Sequence, residues 1–150
     1  MSKQERSVAF QGEPGAYSEQ AIHEYFEKTE LSVEGLPCKS LEGVVQKVEN
    51  CSSVLGIIPV ENSIGGYVDR SYELISKNNI YIIGEVYLRV RHSLLGIEGT
   101  DLSDIDKVYS HPQALKQCRG VISDLNVEPC AAYDTAGSAK MVKEGKDDSV

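Results

Sequence analysis

Ser53-Val-Leu-Gly-Ile-Ile-Pro-Val60 runs directly into Glu61-Asn-Ser-Ile-Gly-Gly-Tyr-Val68. The first part is almost wholly apolar, the pattern of a strand buried on both faces of a parallel sheet. The second part sets three polar residues and then two glycines at that strand's carboxyl end. Asp69 follows as a cap for a helix carrying Tyr72, Leu74 and Ile75. A strand that closes in a polar loop and enters a helix is half of a βα unit, and repeated βα units imply a parallel sheet with right-handed crossovers.

The unit recurs on both sides of this stretch. Upstream, Ser7 to Gln11 reads as a strand, and Ser18 to Lys28 carries Ala21, Ile22, Tyr25 and Phe26 at helical spacing. Ser32 to Pro37 is a second strand, and Ser40 caps a helix with Leu41, Val44, Val45 and Val48 on one face. Downstream, Ile80 to Val90 and His92 to Ile97 have strand character. Asp106 to Ser110 and Val127 to Ala132 read as strands, Pro112 to Leu125 and Thr135 to Lys143 as helices. The expected class is α/β with two lobes, residues 1–77 and 78–150, the second incomplete because another strand is due where the chain stops. Lobes joined by extended segments make a cleft, and ligands bind at the carboxyl ends of parallel strands.

Composition narrows the classes. The chain has 150 residues, 41% hydrophobic and 25% charged, which is a globular balance. A domain of this size buries roughly 70% of its unfolded surface and needs no staple. No apolar run approaches the ~20 residues of a membrane span. Met1 to Arg6 is polar and lacks a signal core, so a cytoplasmic location is expected. The net charge of −8 disfavours nucleic acid, whose phosphates draw on a basic surface. Cys38, Cys51, Cys118 and Cys130 are too scattered for a zinc site and are expected to be reduced.

Four strand-end loops hold the polar chemistry. Gln11-Gly-Glu-Pro-Gly-Ala-Tyr-Ser18 enters a helix that Ser18 can cap, and amides at such a start attract carboxylate or phosphate. It is no Walker loop, since no Lys follows the second glycine. In Glu61 to Val68, Asn62 and Ser63 offer donors and acceptors, Gly65 and Gly66 give a backbone approach, and Glu61 is an acid or base only if buried. In Tyr109-Ser-His-Pro-Gln-Ala-Leu115, Pro112 suits the first helical position, with Ser110 or His111 as cap and Gln113 in the first turn. In Tyr133-Asp-Thr-Ala-Gly-Ser138, Asp134 or Thr135 caps another helix. Each loop alone also reads as a plain capped turn. Together they describe a receptor for a small anion, with no Ser–His–Asp, Cys–His or paired-carboxylate spacing and no Gly-x-Ser-x-Gly elbow.

These loops, in this order, resemble prephenate dehydratase. The residues that carry the likeness are Gly12-x-x-Gly-Ala-Tyr-Ser18, Glu61-Asn-Ser-x-x-Gly-x-Val68, Ser110-His-Pro-Gln-Ala114 and Asp134-Thr-Ala136, with His92-Ser-Leu-Leu95 at the start of the second lobe. The resemblance implies a fold like the type II periplasmic binding proteins, with the site between two lobes. It implies decarboxylative dehydration of prephenate to phenylpyruvate in phenylalanine synthesis, without metal or organic cofactor, by a homo-oligomer when full length. Carried over residue by residue, Asn62 and Ser63 are substrate contacts, and Gly65 and Gly66 a backbone approach. Ser110 and Gln113 reach from the second lobe, Thr135 and Ala136 hold a carboxylate, and Ala16 and Ser18 line the other wall. Glu61, His111 and Asp134 fix their loops.

The sequence departs from the family in one respect. The family's Thr-Arg-Phe motif, whose Thr is the expected proton donor and whose Arg helps hold the anion, does not occur: Thr29, Thr100 and Thr135 are each followed by another residue. The chain is therefore expected to be inactive alone, with the returning segment and the ACT regulatory domain absent. The alternatives are a non-catalytic two-lobed module for a small carboxylate, or a preference for arogenate.

Overall fold

A computed structural model describes residues 5–51 and 54–145. Contacts group the chain into two compact units, Met1–Arg89 and Val90–Val150. Both are α/β with parallel pairing, as the alternation predicts.

In the first unit β1 (Glu5–Gln11), α1 (Tyr17–Phe26), β2 (Ser32–Cys38), α2 (Leu41–Asn50) and β3 (Val54–Ile57) form a three-stranded parallel sheet of order β2-β1-β3. β1 is the centre, so its alternating side chains serve both faces. Val8 and Phe10 join Ile22 of α1, whereas Ala9 meets Cys38 and Val44 of α2. The buried strand is thus β1, whose Val8, Ala9 and Phe10 are at most 2% exposed. The expectation that the run ending at Val60 would be the one buried on both faces is corrected. β3 is an edge among the described residues, and Val54, Leu55 and Ile57 are only half-buried. Gly56 is required there because α2 rests on the β3 backbone: a Cβ at this position would lie 2.8 Å from Val48 Cγ2 and 3.0 Å from Val44 Cγ1. Ser40 caps α2 as expected, its hydroxyl accepting the Gly43 amide at 3.2 Å.

The chain then forms a small antiparallel hairpin, β4 (Glu61–Asn62) and β5 (Gly66–Tyr67), before α3 (Asp69–Lys77). Asp69 is the first helical residue and Val68 stands at the cap position, so the expected Asp69 cap is not formed. Leu74 of α3 completes a third cluster with Leu41 and Val45, against which Ile80 packs. Beyond Ile80 the expected strands at 80–90 and 92–97 do not form; residues 78–98 join no ladder among the described residues. Strand propensity reports fitness for a pleated, half-covered surface, and it needs a neighbouring strand to be realised.

The second unit pairs β6 (Lys107–Ser110) with β7 (Glu128–Ala131) in parallel, with Ser110 opposite Ala131. The helix expected over 112–125 is two helices, α4 (Pro112–Gln117) and α5 (Arg119–Leu125). Cys118, at ψ 8°, leaves the helical region between them, just ahead of the weak helix former Gly120. α5 ends on Asn126 in the left-handed conformation, φ 55°. α6 (Thr135–Lys143) has the predicted limits. No described helix is long and apolar enough to cross a membrane.

Candidate functional site

In the first unit the loops after β1 and β3 leave the same edge, because those strands are parallel neighbours with Phe10 opposite Ile57. Gly12, at φ +118°, turns the chain so that its amide donates to the Cys38 carbonyl at 3.0 Å. The next contacts were not legible in sequence. The Gly15 amide donates to the Glu19 carboxylate at 2.7 Å, so one of the amides expected to face a ligand is met from within the helix. Ser18 lies inside α1 and does not cap it; Ala16 occupies the cap position with no side-chain bond. Both are half-buried.

The Glu61 loop is built around Asn62. Its Oδ1 accepts the amides of Ile64 at 3.0 Å and Gly65 at 2.8 Å, a local turn closed by the side-chain carbonyl. Gly66 has φ +79° with open space around it, a conformation few other residues adopt. Glu61, Ser63, Gly65 and Gly66 are exposed. Beneath the loop, Ser71 is fully buried and donates to the Pro59 carbonyl at 2.6 Å. An ordinary-looking helical serine thus anchors the start of the loop.

In the second unit the two loops meet directly. The Ala132 amide donates to the Ser110 carbonyl at 2.9 Å, and the Ser110 and Thr135 hydroxyls lie 3.3 Å apart. His111 caps α4 through Nδ1, which accepts the Gln113 amide at 3.2 Å, with Pro112 at the first helical position. Asp134 caps α6, its Oδ1 accepting the Gly137 amide at 2.5 Å, while Ser138 Oγ donates to the Asp134 carbonyl at 2.6 Å. The amides of Thr135 and Ala136 then have no protein acceptor among the described residues. They sit at the positive end of the α6 dipole.

Two open grooves lie elsewhere. One, of about 570 Å³, runs between β2 and α2 beside Cys38 and Lys47. The other, of about 540 Å³, lies along α4, α5 and β7. None of the candidate residues lines either groove. Hydroxyl, amide and backbone donors at strand ends therefore define the candidate site. No cluster of three or more His, Cys, Asp or Glu side chains able to hold a metal occurs among the described residues.

Fold and donor set together define an α/β protein with polar loops at parallel strand ends. The comparisons with known proteins make that class specific. The family model for prephenate dehydratase matches residues 8–150, and the chain belongs to this family. It is 42% identical over 135 residues to arogenate dehydratase/prephenate dehydratase 2, chloroplastic, of Arabidopsis thaliana, covering 90% of this chain and 34% of that protein. It is 38% identical over 140 residues to a bifunctional N-acyl-homoserine lactone acylase/prephenate dehydratase of Komagataeibacter europaeus, covering 93% of this chain and 48% of that one. Among solved structures, a quorum-quenching acylase matches with TM-score 0.82 and 36% identity, over 96% of this chain and 51% of that chain. The prephenate dehydratase of Staphylococcus aureus matches with TM-score 0.74 and 26% identity, over 91% and 51%. The chain thus spans between a third and a half of the curated relatives it matches.

Proposed function

We propose that the chain carries substrate contacts of a dehydratase acting on prephenate or on its amino counterpart, arogenate. One observation carries this reading: the Ser110–Thr135 hydroxyl pair beside the unengaged amides of Thr135 and Ala136, inside the span of the family match. Prephenate is a dianion. Its ring carboxylate leaves as carbon dioxide, and the electron pair of the broken C–C bond enters the ring. A second pair leaves with the ring hydroxyl at the opposite carbon, which takes up a proton and departs as water. Aromaticity supplies the driving force, so the protein's part is to orient the ring, hold the anion and deliver that proton.

The side-chain carboxylate persists through the reaction and needs a fixed receptor. Thr135 and Ala136 provide it with two amides, and the hydroxyls of Ser110 and Thr135 complete it. Gln113 adds a donor or acceptor above α4. From the first unit, the Asn62 side-chain NH₂ and the Ser63 hydroxyl serve as polar contacts. Gly65 and Gly66 keep the backbone approachable, and Ala16 and Ser18 form wall. Glu61, His111 and Asp134 act on their own loops. No threonine in the chain precedes an arginine, so the family's proton donor has no counterpart in these residues and turnover by the chain alone is slight.

Calorimetry with prephenate, phenylpyruvate and phenylalanine tests the binding. Phenylpyruvate absorbance in alkali, and phenylalanine release from arogenate, test turnover. Binding of prephenate or arogenate with little turnover is expected. Failure to bind any of them removes the reading, and robust turnover removes the assignment of the missing proton donor.

A second reading, hydrolysis of an N-acyl amide, is favoured by the TM-score of 0.82 to a quorum-quenching acylase. The same preparation given an N-acyl-homoserine lactone should then release free fatty acid, and none would be released if this reading is wrong.

A further inference from the structure

The start of α1 is fastened by Glu19. Ala16 stands at the cap position and has no side-chain oxygen to offer. Glu19, three residues on, grips the loop twice. Its backbone N–H donates to the Ala16 carbonyl at 3.0 Å, and its Oε2 accepts the Gly15 amide at 2.7 Å. An acidic side chain at this place normally reaches back to the amide of the cap residue, one half of a capping box. Here the Ala16 amide is already given to the Glu13 carbonyl at 3.1 Å, and the carboxylate reaches one residue further out. Gly15 presents its amide with φ +90°, a backbone state that residues with side chains rarely adopt.

The other carboxylate oxygen has a seat of its own. Oε1 lies over Gly35 of β2, which pairs with Val8 of the central strand. A Cβ at Gly35 would come within 3.2 Å of that oxygen and 3.0 Å of Phe10 Cε1. Phe10 is fully buried and has little room to yield, so the seat depends on residue 35 being glycine. Glu19 therefore bridges the loop after β1 to the neighbouring strand.

We propose that Glu19 is a positioning residue for the dehydratase reading, on which this inference rests. Its carboxylate sets Gly15, and through it Ala16 and Ser18, the residues given to the substrate-facing wall. It also answers the Gly15 amide with a negative charge of its own at the positive end of α1. A second anion is disfavoured there by occupancy and by charge alike. The first unit then offers the substrate a shaped wall, and the substrate carboxylate is left to the amides of Thr135 and Ala136. Glu19 touches the loop, not the substrate, and moves no proton.

Three variants of the 150-residue chain test this, each checked for folding by circular dichroism. Glu19→Ala removes the acceptor. Glu19→Gln keeps an oxygen in reach of Gly15. Gly35→Ala leaves Glu19 in the chain but fills its seat. Exchange of the Gly15 amide, followed by NMR, should quicken about tenfold in E19A and G35A, the worth of one charge-assisted bond. It should quicken less in E19Q, whose neutral oxygen makes a weaker bond. Prephenate affinity by calorimetry should fall about three- to tenfold in E19A and G35A and largely return in E19Q. Faster exchange at Gly15 with affinity unchanged overturns the proposal, because Glu19 then only caps a helix. Unchanged exchange in E19A overturns it too, since another group holds the loop. A gain in affinity in E19A does the same, since the freed amide is then the substrate's own seat. If the unaltered chain binds neither prephenate nor arogenate, the dehydratase reading fails and the role falls with it. Binding that ignores Glu19 removes the positioning role alone.

Discussion

The hydroxyl of Ser71 donates to the carbonyl of Pro59 at 2.6 Å, joining the first turn of α3 to the residue from which the Glu61 loop departs. Ser71 is fully buried, whereas Pro59 is exposed. Ser71→Ala should cost about 0.5–1.5 kcal/mol, the net worth of such a hydrogen bond. Urea unfolding measures it, and hydrogen exchange should show residues 60–68 opening more readily. A loss within the error of the melt would mean that the Pro59 carbonyl has another partner.

Asp134 and Gly137 make the corresponding joint in the second unit. Asp134→Ala removes the cap of α6 and should destabilise the chain by about 0.5–2 kcal/mol. Asp134→Asn keeps an acceptor oxygen and should lose much less. Thermal melts of the two variants decide this. Equal losses would show that the negative charge at the helix start matters, and not the hydrogen bond.

The same joints show what the sequence made legible. Ser40, His111-Pro112 and Asp134 announce helix starts because capping is chemistry local to three or four residues. α6 accordingly begins and ends where predicted. Asp69 and Ser18 carry the same signal and are not caps: each is drawn inside its helix, α3 beginning at Asp69 itself and α1 at Tyr17. The placement of β3 at an edge could not be read, because an apolar run records how much a strand can bury and not which strands flank it. Residues 80–97 have the composition of strands and find no neighbouring strand among the described residues. At the site, Asn62 was visible as a polar group at a strand end, but only geometry shows its carbonyl turned onto the amides of Ile64 and Gly65. Ser71 and Glu19 gave no signal, since their roles arise from burial and from one loop amide.

Arg70 links α2 to α3 by meeting Glu42 at 2.6 Å and Glu73 at 2.5 Å, with Lys77 also on Glu73 at 2.6 Å. The Glu42 carboxyl is held below its ordinary value of 4.5 by backbone N–H donation and then by Arg70. Lys77 and Arg70 lower that of Glu73 in the same direction. A carboxyl lowered in the folded state favours folding above its unfolded value, and the contribution is lost as pH falls through the folded value. The acid limb of the stability curve below about pH 4.5 should therefore flatten in Glu42→Gln and Glu73→Gln. Because these groups are exposed, raising the salt concentration should flatten it as well. Urea melts from pH 3 to pH 7 check both, and parallel curves for wild type and variants would show that the network does not contribute.

The hydroxyl pair of Ser110 and Thr135 ties β6 to the start of α6, and it admits a test that separates structure from binding. Ser110 is 9% exposed, so Thr135→Ala leaves a nearly buried hydroxyl without its side-chain partner. Stability should fall by about 0.5–1.5 kcal/mol, the net worth of such a bond. The double variant with Ser110→Ala should lose less than the sum of the two single losses, because the second change removes a group already stranded. Thr135→Ser keeps the hydroxyl and should recover most of the stability. If these hydroxyls also hold a substrate carboxylate, prephenate affinity measured by calorimetry should fall in Thr135→Ala and Ser110→Ala and be retained in Thr135→Ser. A loss of stability with affinity intact would confine the pair to fastening the helix, and would leave the Thr135 and Ala136 amides as the only anion donors at that helix start.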